Sequence, residues 1–348
     1  MNSVWMLLRR FVLLTLIVAI VGATVYVVLP GDRTTYMAAI EDKERLLQST
    51  PAPRIIFVGG SSLAFGLDSN MIQQRFGLPV ENMGLGAGVG LRFMLEQIKP
   101  QLRAGDIVVM SPEYEILQAD SEFDGGVRTL AYTIGYAPQT ITYLRSPLQF
   151  YHLLLGLGAA IRNKLDVLHE PNPANKTEGR AAFDTNGDFV GHLGKPQSSK
   201  IELQPLDPVK AANLDRDAIP VMNEFQRFAQ SRDVTVYLTF PPHYGTISPD
   251  MSGMKPFYCQ LKKQLDIPLL GTPDAFFFDA SYMFDTVYHL TAEGRAIRTK
   301  RVIQYLEQRM RVEKRPDAAL APSTSPLEHK VYIRLVEQQE LTEDTLCP

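Results

Sequence analysis

Cysteine, tryptophan and histidine are scarce in this chain. Its 348 residues include two cysteines, Cys259 and Cys347, one tryptophan, Trp5, and six histidines. Two cysteines exclude a disulfide-rich scaffold and a four-cysteine zinc site, and they suit an oxidising compartment. The histidines are scattered and no H-E-x-x-H pattern occurs, so the sequence predicts no metal site.

The chain also lacks an excess of charge of either sign. Its 35 basic and 38 acidic residues are well mixed and give a net charge of −3. Without a basic stripe, nucleic acid is not expected as a partner. A composition of 45% hydrophobic and 21% charged residues is typical of a globular chain and excludes a disordered one.

Glycine-rich segments are present, but they lack the spacing of cofactor-binding loops. In the segment Gly84–Gly90, Val89 and Leu91 stand where a G-x-G-x-x-G fingerprint needs its last glycine. No phosphate loop ending in Gly-Lys-Ser/Thr occurs, and Ala64 breaks the G-x-S-x-G pattern of another hydrolase fold. We therefore expect no cofactor.

One long hydrophobic run stands out, from Phe11 to Leu29. Nineteen residues at a rise of ~1.5 Å span close to the ~30 Å hydrocarbon core of a bilayer. A cleaved signal peptide is the alternative, with Val21-Gly22-Ala23 as its cleavage site. Because the run continues six residues past Ala23, the sequence favours an uncleaved membrane anchor through residues 11–29.

The charges beside this run indicate its orientation. Arg9 and Arg10 place the N-terminus in the cytoplasm, although Arg33, Lys43 and Arg45 follow on the other side. We therefore expect the globular part to lie outside the cytoplasm.

Strand and helix patterns alternate in the first half of the chain after the anchor. The order is β-α-β-α-β within about sixty residues, which predicts a parallel sheet with helices on both faces. The predicted elements are strands at Arg54–Val58, Val80–Met83 and Ile107–Met110, and helices from Asp68 or Ser69 to Phe76 and over Leu91–Lys99.

The pattern resumes after a predicted insertion at about residues 118–205, which contains a helix near Pro147–Ile161 and a polar stretch, Glu170–Ser199. Its length suits a lid or a glycan-binding surface. The elements predicted beyond it are helices at Val209–Ser231, Lys255–Leu265 and Ala292–Arg311, a strand at Val234–Phe240 and a strand region at Ile267–Asp279. Three units result: a cytoplasmic tip and anchor (1–35), an α/β domain (36–312), and a linker and tail (313–348).

Chemically useful side chains follow the predicted strands. In an open parallel sheet, ligands bind beyond the carboxyl ends of the strands. Ser62, the glycines of Gly84–Gly90, and the pair Asp285 and His289 all fall at such ends. A hydroxyl, a base, an acid that orients it and backbone donors are the parts of nucleophilic acyl transfer.

Three segments together resemble an SGNH (GDSL-like) hydrolase. They are RIIFVGGSSLAFGLDS, ENMGLGAG and FFFDASYMFDTVYHLTAEG, and the resemblance extends from Arg54 to Arg311 outside the insertion. It implies a three-layer α/β/α, flavodoxin-like domain with a Ser-His-Asp triad. Ser62 then matches the nucleophile, and its backbone N–H and that of Gly86 match oxyanion donors. His289 matches the base and Asp285 the acid.

The chain departs from the family pattern in two places. Asp285 precedes His289 by four residues where three are usual, so Asp279 is the reserve for the acid. The third block, usually Gly-x-Asn-Asp, reads Ser111-Pro112-Glu113-Tyr114-Glu115, without the asparagine that donates to the oxyanion. An ionised carboxylate cannot donate a hydrogen bond.

Other side chains admit both a functional and a structural interpretation. Glu113, Tyr114 and His243 follow strands and are candidate pocket residues. Yet His243 also suits a turn, Tyr114 suits a core, and Glu113 suits an ion pair with an arginine such as Arg92. Ser62 itself is also typical of a turn or a helix N-cap.

The resemblance implies a single-pass protein of a bacterial inner membrane, with an esterase or O-acyltransferase domain facing the periplasm. Its substrate would be an acylated envelope polysaccharide, with acetyl as the acyl group and an integral membrane acyltransferase as a candidate partner. A catalytically impaired partner or scaffold of such a complex is the alternative, and a carbohydrate-binding module is the third. The acyl-transfer hypothesis requires Ser62 and His289 to lie at one edge of the sheet with accessible side chains.

Overall fold

A parallel β-sheet organises the part of the chain that the structure describes. The structure is a computed structural model that describes residues 2–29, 31–119, 122–169, 178–198, 201, 203–245, 254–314 and 347. Its strands are β1 (Ile55–Val58), β2 (Val80–Asn82), β3 (Ile107–Met110), β4 (Thr235–Thr239), β5 (His243–Tyr244), β6 (Leu269–Leu270) and β7 (Phe277–Phe278).

Helices connect these strands. They are α1 (Asn2–Val28), α2 (Ile40–Ser49), α3 (Ser61–Gly66), α4 (Ser69–Phe76), α5 (Leu91–Ile98), α6 (Tyr114–Leu117), α7 (Val127–Tyr136), α8 (Pro147–His169), α9 (Pro208–Ala212), α10 (Ala218–Gln230), α11 (Lys255–Gln264) and α12 (Ala292–Lys314). Short 3₁₀ helices lie at Tyr36–Ala39, Ala87–Val89, Lys99–Gln101, Pro138–Tyr143, Arg180–Ala182, Pro273–Phe276 and Ala280–Tyr282.

The order of the strands places a crevice beside β1. Five strands form the main sheet in the order β2-β1-β3-β4-β6, and every pair is parallel. β5 and β7 form a separate parallel pair. The chain leaves β1 toward β2 on one side and continues at β3 on the other, so the loops after β1 and β3 meet where such sheets bind ligands. The α/β class and the parallel sheet are therefore confirmed.

The central strand β1 shows why these residues form a buried sheet. Its sequence Ile-Ile-Phe-Val is completely buried, and it pairs with β2 on one edge and β3 on the other. A strand covered on both faces has no polar face to alternate with its apolar one, so its sequence is a continuous run of β-branched and aromatic residues.

A buried arginine fixes the entrance to β1. The Arg54 guanidinium donates to the Leu47 carbonyl at 2.7 Å and to Glu81 Oε1 at 2.8 Å. It also donates to the Gln101 carbonyl at 2.7 Å and lies 3.5 Å from Asp106. Since buried charges are tolerated only when paired and hydrogen-bonded, this network joins α2, β2 and β3 to the start of β1.

The N-terminal helix α1 is long and apolar enough to cross a membrane. Its side chains are almost all exposed to the surroundings, apart from the buried Tyr26 near its end. This helix agrees with the predicted anchor at residues 11–29. All of those residues except Leu29 belong to α1.

Tertiary contacts change three predicted elements. The single helix Val209–Ser231 is wrong, because the chain is divided into α9 and α10: Asn213 accepts a hydrogen bond from Ala119, and Asp215 donates one to Leu117. The strand region Ile267–Asp279 is interrupted at Gly271, which has a φ of +76°. The predicted loop after β1 contains the helix α3.

Some predicted segments lie wholly or partly outside the described residues. The polar stretch Glu170–Ser199 is described only at 178–198, and the linker and tail at 313–348 only at 313–314 and 347.

The two cysteines form a disulfide. Cys259 of α11 is bonded to Cys347, 88 residues further along the chain. Disulfides persist mainly in oxidising compartments, so this bond suits a domain outside the cytoplasm.

We predict that replacing Cys347 by serine (C347S) destabilises the chain by about 2–5 kcal/mol, because the bond restricts a long loop in the unfolded state. Urea unfolding of the full chain in detergent measures the change, and thiol titration after denaturation without reductant is the check. The wild-type chain should show no free thiol; two reactive thiols would contradict the assignment.

Candidate functional site

Ser62 lies in the first turn of α3, directly after β1. Gly59 and Gly60 allow the turn between β1 and α3 to lie close to the residues that follow β3. A Cβ on Gly59 would overlap the Ser111 carbonyl of the neighbouring strand end, and one on Gly60 would overlap the carboxylate of Glu113. Ser62 is completely buried, and among the described residues its Oγ has no hydrogen-bond partner.

The Glu113 carboxylate occupies the backbone donors beside Ser62. Glu113 Oε1 accepts the Ser62 N–H at 2.7 Å, and Oε2 accepts the Gly60 N–H at 3.0 Å. Burial raises the pKa of Glu113, although the hydrogen bond from Ser62 acts in the opposite direction. An N–H that serves Glu113 cannot at the same time serve an oxyanion in the same position.

A buried arginine supports the same turn from α12. Arg298 donates to the Ser62 carbonyl at 2.7 Å and to Ser111 Oγ at 2.9 Å. Burial lowers the pKa of Arg298 to about 9, and the nearby Glu113 opposes this shift. The cation and the carboxylate thus stabilise each other in a site that is closed to water.

His289 and Asp285 form a hydrogen-bonded pair. His289 Nδ1 lies 2.7 Å from Asp285 Oδ1, and the imidazole side chain is 13% exposed. Thr286 Oγ accepts the His289 N–H at 3.1 Å, and the Phe284 N–H donates to the His289 carbonyl at 2.8 Å. This turn accommodates the four-residue spacing, so Asp285 and not the reserve Asp279 contacts the histidine.

An aromatic contact places His289 beside the serine helix. The His289 ring stacks on Phe65 with 3.9 Å between ring centroids and 3° between the planes. Phe65 belongs to α3, three residues after Ser62, so the serine and the histidine share one edge of the sheet. Ser62 Oγ nevertheless makes no hydrogen bond to His289, and its burial does not meet the expectation of an accessible nucleophile.

The segment that follows the anchor covers the glycine loop. The Tyr36 hydroxyl donates to the Leu85 carbonyl at 2.6 Å, and Met37 Sδ lies 3.4 Å from the position of a Cβ on Gly86. Burial raises the pKa of Tyr36, and the charges of Glu113 and Asp285 add to this shift. The Gly86 N–H donates to no described protein group, whereas that of Gly84 donates to Asn82 at 2.9 Å.

The insertion contributes an aromatic wall. Phe189 stacks on Phe65 at 4.4 Å, and Tyr36 lies 5.0 Å from Phe183 and 5.4 Å from Phe189. The backbone of the insertion also contacts α3, because the Phe189 N–H donates to the Ala64 carbonyl at 2.8 Å.

The other candidate pocket residues are buried. Tyr114 and His243 lie 6.1 Å apart, each almost without exposed surface. His243 Nδ1 lies 2.7 Å from the Tyr244 carbonyl, and burial lowers the pKa of His243. Neither side chain is therefore accessible to a substrate in this structure.

Glu115 and Arg92 each have a partner other than Glu113. Glu115 is hydrogen-bonded to the Tyr288 hydroxyl. Arg92, an example of an arginine that could pair with Glu113, pairs instead with Asp124 and Asp217.

Sequence reasoning missed the residues that hold the site together. Arg298 lies nine positions after His289, and no motif distinguishes it from the other arginines of α12. Asn82 donates to the Leu63 carbonyl at 2.9 Å and to Asp188 at 2.7 Å, joining the end of β2 to α3 and the insertion. In the described part of the chain, no group of three or more His, Cys, Asp or Glu residues is arranged to hold a metal ion.

Comparison of the sequence with models of known families and with curated proteins finds no match. The interpretation of this site therefore depends on its motifs and geometry.

We predict that Arg298→Met destabilises the full chain by about 1–3 kcal/mol for each of the two buried acceptors that it leaves without a donor, the Ser62 carbonyl and Ser111 Oγ. Urea unfolding in detergent measures the change. Arg311→Met on the same helix is the matched control: its side chain is half exposed and its pair with Glu307 spans 3.9 Å, so about 0–1 kcal/mol is expected. Equal effects of the two substitutions would contradict a specific role for Arg298.

Proposed function

We propose that this chain is a membrane-anchored, extracytoplasmic SGNH-like protein that transfers or hydrolyses acyl esters through Ser62, His289 and Asp285. The observation that carries the proposal is the contact between two distant segments. The Asp285–His289 pair packs through the imidazole onto Phe65, in the helix that begins with the Ser62 turn.

The topology supports this proposal. The main-sheet order β2-β1-β3-β4-β6 has the 2-1-3-4-5 pattern of a flavodoxin-like sheet, whose ligands bind at the reversal between β1 and β3. Ser62 follows β1 and Glu113 follows β3, so both lie at this position. The SGNH resemblance implies the same arrangement of nucleophile and oxyanion donors.

The chemistry proceeds in two steps. His289, oriented by Asp285, removes the Ser62 proton as Oγ bonds to the ester carbonyl carbon, and the carbonyl becomes an oxyanion. The oxyanion then collapses, the alkoxide leaves with the proton from His289, and an acyl-serine forms. Water or a sugar hydroxyl next loses its proton to His289 and attacks the acyl-serine, which releases the acid or the new ester and restores Ser62.

Because Ser62 is completely buried here, the proposal requires a second state in which the site is open to substrate. The Ser62 N–H must exchange Glu113 for the oxyanion, since an ionised carboxylate a few ångströms away would repel the developing negative charge. A neutral Glu113 removes the repulsion and offers an O–H donor where the family uses an asparagine. Its burial favours that neutral form.

The setting follows from the anchor and the disulfide. A helix capable of crossing a membrane and the Cys259–Cys347 bond suit a single-pass protein whose domain lies outside the cytoplasm. Resemblance to anchored family members favours acetyl groups on a bacterial envelope polysaccharide as the substrate, with an integral membrane acyltransferase as partner. This substrate is an analogy with the family.

A non-catalytic SGNH-like partner of a membrane polysaccharide-modifying complex is the second candidate. The same Glu113 contact favours it, because the carboxylate and a fully buried Ser62 leave no place for a substrate carbonyl. The two candidates differ in the reactivity of Ser62.

We predict that the full chain hydrolyses a chromogenic acetyl ester and that Ser62→Ala reduces turnover by at least ~10³-fold, since it removes the nucleophile. Asp285→Asn should reduce kcat by up to ~10⁴-fold, because it no longer orients the imidazole in the correct tautomer.

Ser61→Ala is the matched control, because Ser61 lies beside Ser62 in α3 and has no catalytic role here. Turnover that survives Ser62→Ala at the wild-type level would eliminate the acyl-serine mechanism.

We also predict that Glu113→Gln increases the rate at which a fluorophosphonate labels Ser62 by about 10²-fold at a pH above the raised pKa of Glu113, the scale of one oxyanion donor. The ratio of variant to wild-type rates should rise with pH, because Glu113 ionises as the pH passes its raised pKa and glutamine does not. Mass spectrometry of the labelled peptide measures the rate.

Glu115→Gln serves as the control, since Glu115 faces Tyr288 and not the Ser62 turn. If neither the wild-type chain nor Glu113→Gln is labelled at Ser62, the non-catalytic candidate is correct.

A further inference from the structure

Helix α8 exposes a broad apolar face. Its outward side chains recur at spacings of three and four residues, which places them on one side of the helix. They are Leu148, Phe150, Tyr151, Leu154, Leu155 and Leu165, each at least 41% exposed. Isolated exposed apolar residues are ordinary, but a contiguous stripe of this length indicates a covered surface.

Charge is excluded from most of this face. No Asp, Glu, Lys or Arg occurs between Pro147 and Ile161. The exposed charged residues of α8, Arg162 and Asp166, lie in its last described turns. Arg145, just before the helix, is half exposed and pairs with Glu96 at 2.7 Å.

The opposite face of α8 is already used by the protein. A Cβ on Gly156 would overlap the Val127 carbonyl and approach the Ala131 side chain at 2.6 Å, so α8 packs closely on α7. His152 Nδ1 lies 2.7 Å from the Gly125 carbonyl on the same side. The apolar face therefore points away from the domain.

α8 is fixed to the outer end of the candidate membrane span. Ile161 lies 3.5 Å from the position of a Cβ on Gly22, and Lys164 donates to the carbonyls of Tyr26 and, at 2.9 Å, Leu29. Tyr26 in turn donates through its hydroxyl to the Ala131 carbonyl of α7 at 2.6 Å. The α7–α8 pair is thus bound to α1 within its last two turns.

We propose that the exposed face of α8 lies in the lipid bilayer, in the interfacial region of the leaflet where α1 emerges. The bilayer is the occupant because Ile161 and Lys164 attach α8 to the end of α1, whose own apolar side chains are exposed, so lipid that surrounds α1 also reaches the exposed face of α8. Apolar faces of such helices are buried ~5–10 Å into the boundary between headgroups and acyl chains. Tyr151 suits that boundary, and Arg162 reaches the headgroups along its aliphatic stem.

This arrangement positions the domain on the membrane independently of the chemistry at Ser62. One span permits the domain to rotate about α1, whereas a second contact through α8 fixes which side faces the lipid. The α7–α8 pair is therefore a membrane-docking element and not a lid over the serine site.

A single-tryptophan experiment tests the proposal on the full chain. Trp5→Phe removes the natural fluorophore, and Leu154→Trp introduces one on α8, where the leucine is 66% exposed. The matched control is Val209→Trp on α9, where the valine is 79% exposed. Both proteins are reconstituted into phosphatidylcholine vesicles whose acyl chains are brominated either near the headgroup or near the bilayer centre.

The proposal predicts that the Leu154→Trp fluorescence is blue-shifted and loses most of its intensity with bromines near the headgroup, and less with bromines near the centre. The control should be quenched by aqueous acrylamide and not by brominated lipid. Acrylamide quenching of Leu154→Trp equal to that of the control would overturn the proposal. Shielding from both quenchers would also overturn it, because it would show a second copy or another protein on this face.

Discussion

The carboxylate of Glu113 accepts the backbone N–H groups of Gly60 and Ser62, and this contact determines the geometry around the candidate nucleophile. It explains why residue 60 is glycine, since a Cβ there would occupy the carboxylate's position. It also explains why a fully buried arginine from α12 lies beside the turn, because a carboxylate sealed from water needs a cation or a proton. Each of these features follows from placing a glutamate beside the Ser62 turn.

In the proposed mechanism, the same contact would separate two states of the site. With Glu113 bound to the Ser62 N–H, the turn is satisfied and closed. Once the carboxyl group becomes neutral or rotates away, that N–H is free, and the Asp285–His289 pair already lies beside the helix of Ser62. The proposed mechanism therefore requires movement of Glu113, access of the substrate to the buried Ser62, and a hydrogen bond between Ser62 Oγ and His289 that this structure does not contain.

Local sequence patterns were sufficient where local physics decides. The buried strands β1 and β3 could be predicted, because continuous apolar runs are local features, whereas the pairing of Asp285 with His289 was expected from the family resemblance, with Asp279 in reserve. The division between α9 and α10 could not, since it arises from hydrogen bonds of Asn213 and Asp215 with a segment almost a hundred residues away. The roles of Arg298 and Tyr36 could not be predicted for the same reason, since their partners Ser62 and Leu85 lie far from them in the sequence.

Helix α1 and the serine turn are linked through the glycine loop. The Gly126 N–H at the start of α7 donates to the Gly88 carbonyl at 2.8 Å, and α7 packs on α8 beside α1. The loop that carries the second candidate oxyanion donor, Gly86, is therefore held by the same helices that attach the domain to the end of the anchor. Substrates presented at the membrane surface would reach a site of fixed orientation.

A crystal structure of the protein after reaction with a fluorophosphonate is the most direct test of this account. We predict a phosphorus–oxygen bond to Ser62 Oγ, a phosphonyl oxygen on the Ser62 N–H, and the Glu113 carboxyl group displaced from that N–H. An unmodified Ser62 with Glu113 unmoved, after exposure sufficient to label an ordinary serine esterase, would contradict it.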